Sequence, residues 1–282
     1  IKDNYTGYKE VIIDDKYNNY YEDIFSNNNS RLNLNINEYL LIKDQTNNII
    51  DKYKYTNNNE FQRIPFNCFE SKMFGKIKPK DAYQAIAMDS LVTNQITMLG
   101  GGAGTGKSTL ALGYLFYLLE KREISKIIIF CNTVATYGAA KLGFYPGSRL
   151  AKLLDSQIGN FLSSKLGDYS EVERLINENY LELLPLSDIR GYDTSGMNAG
   201  VYITEAQNLD IELMRLALQR IGDDCFCILD GDAQTQVDMP QYAGSNNGMK
   251  RVSEIFRGDS IYGEVVLKTI YRSHIGELAA NL

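Results

Sequence analysis

The stretch Gly101-Gly102-Ala103-Gly104-Thr105-Gly106-Lys107-Ser108 stands between an apolar run, Gln95 to Leu99, and a helix-forming segment, Gly106 to Lys121. Glycines spaced in this way permit backbone conformations closed to other residues. In a G-x-x-x-x-G-K-[ST] pattern they let successive N–H groups turn inward around a phosphate. The helix that follows adds the donors of its first turn and the positive end of its dipole. On this pattern Gly102, Ala103, Gly104, Thr105, Gly106, Lys107, Ser108 and the adjoining Thr109 line a nucleotide-phosphate site. Lys107 would reach the β- and γ-phosphates, and the Ser108 hydroxyl would ligate Mg²⁺. A glycine-rich turn with an exposed lysine is the bland alternative, and it leaves the strand–loop–helix context unexplained.

A loop of this kind closes a strand of a parallel sheet, and the remaining pattern agrees. Short apolar runs at Lys126 to Cys131, Leu181 to Leu184, Gly200 to Thr204, Cys225 to Asp230 and Glu264 to Lys268 read as strands. They alternate with expected helices at Asp210 to Arg220, Met249 to Phe256 and Ile275 to Leu282. Strands alternating with helices predict an α/β fold, a parallel sheet flanked by helices. At 282 residues the chain has room for about two domains. The expected division is a small α+β or β-rich N-terminal domain over 1–67, a linker over 68–80 and the nucleotide-binding domain over 81–282. The first part shows short strands at Val11 to Ile13, Tyr39 to Ile42 and Ile49 to Tyr55 and a helix over Lys16 to Phe25. Its runs Asn27-Asn28-Asn29 and Asn57-Asn58-Asn59 mark turns. Tyr17, Tyr20 and Tyr21 read as packing residues rather than base-stacking platforms. Between Arg63 and Lys80 no period is evident, and Lys72, Lys76, Lys78 and Lys80 read as a solvated charge run.

Composition narrows the function classes. Hydrophobic residues at 44%, charged residues at 23% and 5 prolines are those of an ordinary globular chain rather than a disordered tail or a fibre. The formal charge of −6 excludes coating of nucleic acid by bulk positive charge, so any such contact must be local. Cys68, Cys131, Cys225 and Cys227 lack the spacing of a zinc site and read as thiols of a reducing compartment. No apolar run reaches membrane-spanning length, and Ile1 to Tyr8 is polar, which together point to a cytoplasmic protein without membrane contact.

Two further strand ends carry candidate chemistry. Val201-Tyr202-Ile203-Thr204 runs into Glu205, and Cys225 to Leu229 runs into Asp230-Gly231-Asp232, followed by Gln234 and Gln236. Carboxylates and amides at the carboxyl ends of parallel strands lie where ligands of open α/β sheets bind. Taken singly, either end could be a solvated turn, with Asp232 as an Asx-turn residue.

The order of these motifs resembles the PhoH-like ATPases, a phosphate-loop family related to the first RecA-like domain of superfamily 1 helicases. The resemblance covers roughly Lys78 to Leu282. Besides the phosphate loop it rests on Leu142-Gly143-Phe144-Tyr145-Pro146-Gly147, Ile189-Arg190-Gly191, Glu205-Ala206-Gln207-Asn208, Gly231-Asp232 with Gln236-Val237-Asp238, Ser245-Asn246-Asn247-Gly248 and Tyr271-Arg272-Ser273. The family's longer members carry an N-terminal PIN nuclease domain. No comparable acidic constellation precedes Lys78, so the chain looks like a PIN-less member, as phage-encoded versions often are.

The resemblance implies ATP and Mg²⁺ as cofactors and assigns roles. Lys107 and Ser108 serve the phosphates and the metal, Glu205 orients the attacking water, and Gln236 senses the γ-phosphate. Gln84 reads the adenine edge, with an exposed helix glutamine as the alternative. Arg272 acts as an arginine finger. Metal ligation would involve Ser108 and Glu205, and, as a hypothesis apart from the resemblance, Asp232 of the neighbouring strand in compensation for Thr204. Because one RecA-like domain supplies half of such a site, the resemblance implies a homo-oligomer, as in hexameric relatives, with Arg272 reaching a neighbour. It further implies coupling of ATP turnover to RNA or single-stranded DNA. Three departures stand out. Thr204 occupies the place of the family's usual aspartate before Glu205, one extra residue precedes Gln236 so that Gln234 is an alternative sensor, and Cys131-Asn132-Thr133 replaces an arginine-proline pair. Thr204 is the basis of a second reading, a nucleotide-gated assembly module with slow or no hydrolysis. A small-molecule kinase ranks third, since no acceptor pocket or lid is evident. His274, beside Arg272 and Ser273, reads as a helix-start residue.

Overall fold

The computed structural model of the chain describes residues 5–14, 19–131, 157–167, 169–232, 246–279 and 281–282. By contact density the chain forms two compact units, one comprising Ile1–Cys68, Lys78–Leu110 and Val252–Leu282, the other Phe69–Ile77 and Ala111–Arg251.

In the first unit the N-terminal strands are β1 (Tyr8–Ile12), β2 (Tyr39–Lys43), β3 (Ile49–Tyr55) and β4 (Phe61–Arg63), with the short helix α1 (Tyr20–Phe25) after β1. They form one sheet in sequence order, β1 parallel to β2 and the other pairs antiparallel. Tyr39, Leu40, Leu41 and Ile42 in the central β2 are all fully buried, which is why this apolar run shows no alternation. Ile24, Leu32, Leu34, Leu40, Ile42, Tyr53 and Tyr55 make one core, and Tyr20 and Tyr21 pack against it as expected of core tyrosines. Tyr17 lies outside the described residues. Asn27 and Asn59, from the two asparagine runs, adopt positive φ of 54° and 59°. The left-handed conformation is one that asparagine tolerates better than most residues, so both runs act as turns.

The stretch expected as a linker contains a hairpin. β5 (Phe69–Ser71) pairs antiparallel with β6 (Gly75–Ile77) in the second unit. Phe69 and Phe74 are buried, with ring centroids 4.8 Å from Tyr114 and 5.1 Å from Phe116. Strands of three residues show too few alternations to read from sequence, and the exposed lysines mask the two anchoring aromatics.

Helix α2 (Ala82–Thr93) has no counterpart among the helices expected from the sequence, yet its start carries a signature. The Asp81 side chain accepts a hydrogen bond from Gln84 N at 2.8 Å, and the Gln84 side chain accepts one from Lys80 N at 3.0 Å. This is a variant of the reciprocal capping box. Within the same unit β7 (Ile96–Gly100) pairs in parallel with β12 (Tyr262–Val266). The N-terminal segment is tied to β12 through Val266 N donating to Thr6 O at 2.9 Å and Tyr8 Oη donating to Val266 O at 2.7 Å.

The phosphate loop follows β7 and opens α3 (Lys107–Glu120). Beyond it come β8 (Lys126–Cys131), α4 (Gln157–Leu166), α5 (Tyr169–Asn177), β9 (Leu181–Pro185), β10 (Ala199–Ile203), α6 (Ile211–Gln219), β11 (Phe226–Gly231), α7 (Gly248–Phe256) and α8 (His274–Ala279). All pairs from β7 onward are parallel: β7 with β12 in the first unit, and β11, β10, β8 and β9 side by side in that order in the second. Ile127, Ile128, Ile129, Val201, Tyr202 and Ile203 are fully buried, the continuous apolar strands of a sheet covered on both faces. No helix among the described residues is long and apolar enough to cross a membrane.

One buried polar contact joins β2, β3 and α2. Asp89 accepts a hydrogen bond from Tyr39 Oη at 2.7 Å and pairs with Lys54 Nζ at 3.1 Å, and Lys54 also reaches Thr93 Oγ1 at 3.1 Å. Removing one partner of such a pair leaves a buried charge uncompensated. Asp89→Ala should therefore lower stability by about 3–5 kcal/mol, read as a drop in the urea midpoint. A change below about 1 kcal/mol would show that the contact is not a structural tie.

Candidate functional site

The phosphate loop is defined by what its carbonyl oxygens do. Gly100 O accepts from Leu267 N at 2.9 Å, and Gly101 O and Gly102 O accept from Lys107 Nζ at 2.5 and 2.9 Å. Thr105 Oγ1 adds a 2.9 Å bond to Gly102 O. Ala103 O accepts from Arg272 Nη2 at 2.9 Å, Gly104 O from Tyr271 N at 2.8 Å, and Thr105 O from Gln84 Nε2 at 3.1 Å. Six successive carbonyls are thus engaged, which leaves the N–H side of the turn as the face for an anion.

The glycines follow from this arrangement. Gly101 has φ of +120°, and a Cβ there would stand 2.5 Å from Leu267 O. Gly106 has φ of +97°, and a Cβ there would stand 2.8 Å from Gln84 Nε2. A side chain at either position would both strain the backbone and push the loop from its support.

Three of the residues expected at the site meet here. Lys107 turns back onto the loop's own carbonyls. Gln84 is only 4% exposed and bridges the start of α2 to the loop, so it is not an exposed helix glutamine. Arg272 lies on the phosphate loop of its own chain, with its Nε 3.2 Å from where a Cβ on Gly104 would be. Tyr271 supports it. Its hydroxyl donates to the Asp81 carboxylate, and Lys80 Nζ stands 4.8 Å from its ring centre. Desolvation, together with the Asp81 carboxylate, pushes the Tyr271 phenol up to about 12, so it remains a donor at neutral pH. His274 is the exposed first residue of α8 and stands 3.7 Å from Glu277, in line with a helix-start role.

The acidic strand ends lie in the second unit. Glu205 follows β10 with φ of 55° and ψ of 40°, a left-handed conformation that costs a non-glycine residue on the order of 1–3 kcal/mol. Its N–H donates to Asp230 Oδ1 at 3.1 Å, and Tyr202 Oη donates to the other oxygen of the same carboxylate. Asp232, 7% exposed, has its N–H held by Gln207 Oε1 at 3.2 Å. Asn247, fully buried, donates to Gln207 O at 2.9 Å, and its Oδ1 accepts from Lys250 N at 3.0 Å at the start of α7. Asn247 therefore clamps the turn after β10 and caps α7 at once, a role the sequence reading did not assign. Gln234, Gln236 and the stretch Leu142 to Gly147 lie outside the described residues.

An all-parallel α/β sheet in which one strand runs into a G-x-x-x-x-G-K-S loop and a helix defines a P-loop domain of RecA-like architecture. The family profile described as "PhoH-like protein" matches residues 76–279. The chain belongs to that family and is a P-loop protein. It is 31% identical over 222 residues to protein PhoH2 of Thermobispora bispora, covering 76% of this chain and 48% of that protein. It is 29% identical to protein PhoH2 of Bacillus subtilis over 99% of this chain and 64% of that protein. The PhoH-like protein of Mycobacterium tuberculosis is 28% identical over 72% of this chain and 53% of its own length. The chain thus spans about half to two thirds of the length of these relatives.

Gly101→Ala, which forces a Cβ onto Leu267 O, should weaken ATP binding by roughly tenfold or more while the far-UV circular dichroism stays unchanged. Unaltered affinity would mean that the loop's contact with Leu267 does not shape the phosphate site.

Proposed function

We propose that the chain binds ATP with Mg²⁺ and hydrolyses it, coupling turnover to RNA or single-stranded DNA. The observation that carries the nucleotide half is the engagement of every carbonyl from Gly100 to Thr105, which supports a turn built to present N–H groups to phosphate. The polynucleotide half rests on the resemblance in motif order to superfamily 1 helicases. Lys107, now bonded to Gly101 O and Gly102 O, exchanges those acceptors for the β- and γ-phosphate oxygens.

The candidate metal donors, the Ser108 hydroxyl and the Glu205 and Asp232 carboxylates, are all oxygen. That set suits Mg²⁺, a hard cation that keeps waters and takes substrate phosphates rather than needing an all-protein cage. When bound, Mg²⁺ offsets phosphate charge during transfer. Glu205 accepts a proton of the attacking water and orients it, and Gln236 monitors the γ-phosphate. Thr109, next to Ser108 in the first turn of α3, completes the phosphate-facing set.

Phosphate release from ATP provides the test. Lys107→Ala and Glu205→Gln should each lower the rate by about a hundredfold or more, and single-stranded RNA or DNA should raise the wild-type rate. Wild-type rates in both variants would overturn the hydrolytic reading. Tight ATP binding without turnover in the wild type, restored by Thr204→Asp, would establish the assembly-module reading instead.

The bond from Arg272 to Ala103 O of its own loop supports action on the γ-phosphate within one chain, whereas the oligomeric expectation gives it to a neighbour. Activity per chain should then hold constant on dilution through dissociation of any homo-oligomer. A fall in parallel with dissociation would assign Arg272 to the neighbouring site.

Gln84 reads adenine in this proposal by exchanging its bond to Thr105 O for one to the base. Gln84→Ala should weaken ATP binding about fivefold more than GTP binding, the value of roughly 1 kcal/mol for one hydrogen bond. Equal losses would reduce Gln84 to a brace of the loop.

A further inference from the structure

We propose that Asp230 is the positioning residue that sets Glu205 at the end of β10. The inference rests on the reading of Glu205 as the water-orienting carboxylate. A glutamate in the left-handed region, φ 55°, persists only where its surroundings over-determine it. Those surroundings lie within one compact unit.

β10 and β11 run in parallel with Tyr202 opposite Ile228 and Ile203 opposite Leu229. One residue further along the same register, Asp230 stands beside Thr204. Partners in a parallel register share a face, so the Asp230 side chain rises next to the position where the chain has a hydroxyl instead of a carboxylate. Its Oδ1 accepts the Glu205 N–H at 3.1 Å, the bond that follows directly from the left-handed turn. Its Oδ2 accepts the Tyr202 hydroxyl. Tyr202 is fully buried and Asp230 is 3% exposed, so the carboxylate is fixed from below by β10 itself.

The preceding and following peptides are held as well. Thr204 N donates to Phe130 O at 3.1 Å, and Asn208 N donates to Glu205 O at 3.0 Å. Asp230 grips the Glu205 amide through a side chain whose length and geometry a substitution can change. The Tyr202–Asp230–Glu205 relay thereby transmits the rigidity of two buried strands to one catalytic turn. It requires an acceptor at Oδ1 and a partner for the Tyr202 hydroxyl.

The test uses the full chain and compares Asp230→Ala, Asp230→Asn and Tyr202→Phe. Single-turnover ATP hydrolysis reads turnover, a fluorescent ATP analogue reads affinity, and thermal melting confirms folding. Displacement of a positioned group by about an ångström costs up to a hundredfold. Asp230→Ala should therefore lower turnover roughly tenfold to a hundredfold with nucleotide affinity unchanged. Asp230→Asn, which keeps an oxygen acceptor for Glu205 N–H, should stay within about threefold of wild type. Tyr202→Phe should lose turnover several-fold, and it remains informative if Asp230→Ala does not fold. Wild-type turnover in a folded Asp230→Ala would overturn the inference, as would an asparagine variant as impaired as the alanine one. Retained turnover in Glu205→Gln would instead remove the reading of Glu205 itself, whereas loss there with an active Asp230→Ala would defeat only the positioning role.

Discussion

Six carbonyl oxygens in succession, from Gly100 to Thr105, accept hydrogen bonds from the protein's own donors, and these bonds hold the loop's backbone in one shape. The donors come from four directions: the strand register at Leu267, the segment Tyr271-Arg272, the buried amide of Gln84 and the loop's own Lys107. Much else follows from it. β12 must pair with β7 to deliver Leu267, and α2 must begin at Asp81 to deliver Gln84. The positive φ values of Gly101, Gly104 and Gly106 are those that bring each carbonyl to its donor.

The N-terminal sheet acquires a purpose from the same constraint. Asp89 on α2 is anchored to Tyr39 and Lys54 of β2 and β3, five residues along the helix from Gln84. An element with no chemistry of its own thus fixes the azimuth of the helix that braces the loop. The strand ends after β10 and β11 are organised by the same device, buried side chains engaging backbone groups: Asp230 on Glu205 N, Gln207 on Asp232 N and Asn247 on Gln207 O.

What was legible in the sequence follows from range. The loop, β3 and β8 could be read directly, since glycine spacing and apolar runs are local signals, and the parallel sheet followed from their alternation. The bonds that give the loop its shape were not legible. Gln84 and Thr105 are 21 residues apart, and Arg272 and Ala103 are 169 apart, with no local pattern linking either pair. The β5–β6 hairpin was missed because three-residue strands carry no period. α2 was missed although Asp81-Ala82-Tyr83-Gln84 fits a capping box, since its continuous burial from Ile86 to Leu91 hides the amphipathic stripe. The motif Ser245-Asn246-Asn247-Gly248 was legible as a resemblance, but its work, a clamp on Gln207, emerges only when α7 meets the turn after β10.

The central claim is that the loop is shaped in advance to receive phosphate on its N–H face. Amide hydrogen exchange over residues 100–110, with and without ATP and Mg²⁺, tests it most directly. The account predicts marked additional protection of Gly102 to Ser108 on adding nucleotide, with residues 266–272 changing little because their bonds to the loop already exist. Unchanged exchange across Gly102 to Ser108 at saturating ATP would contradict it.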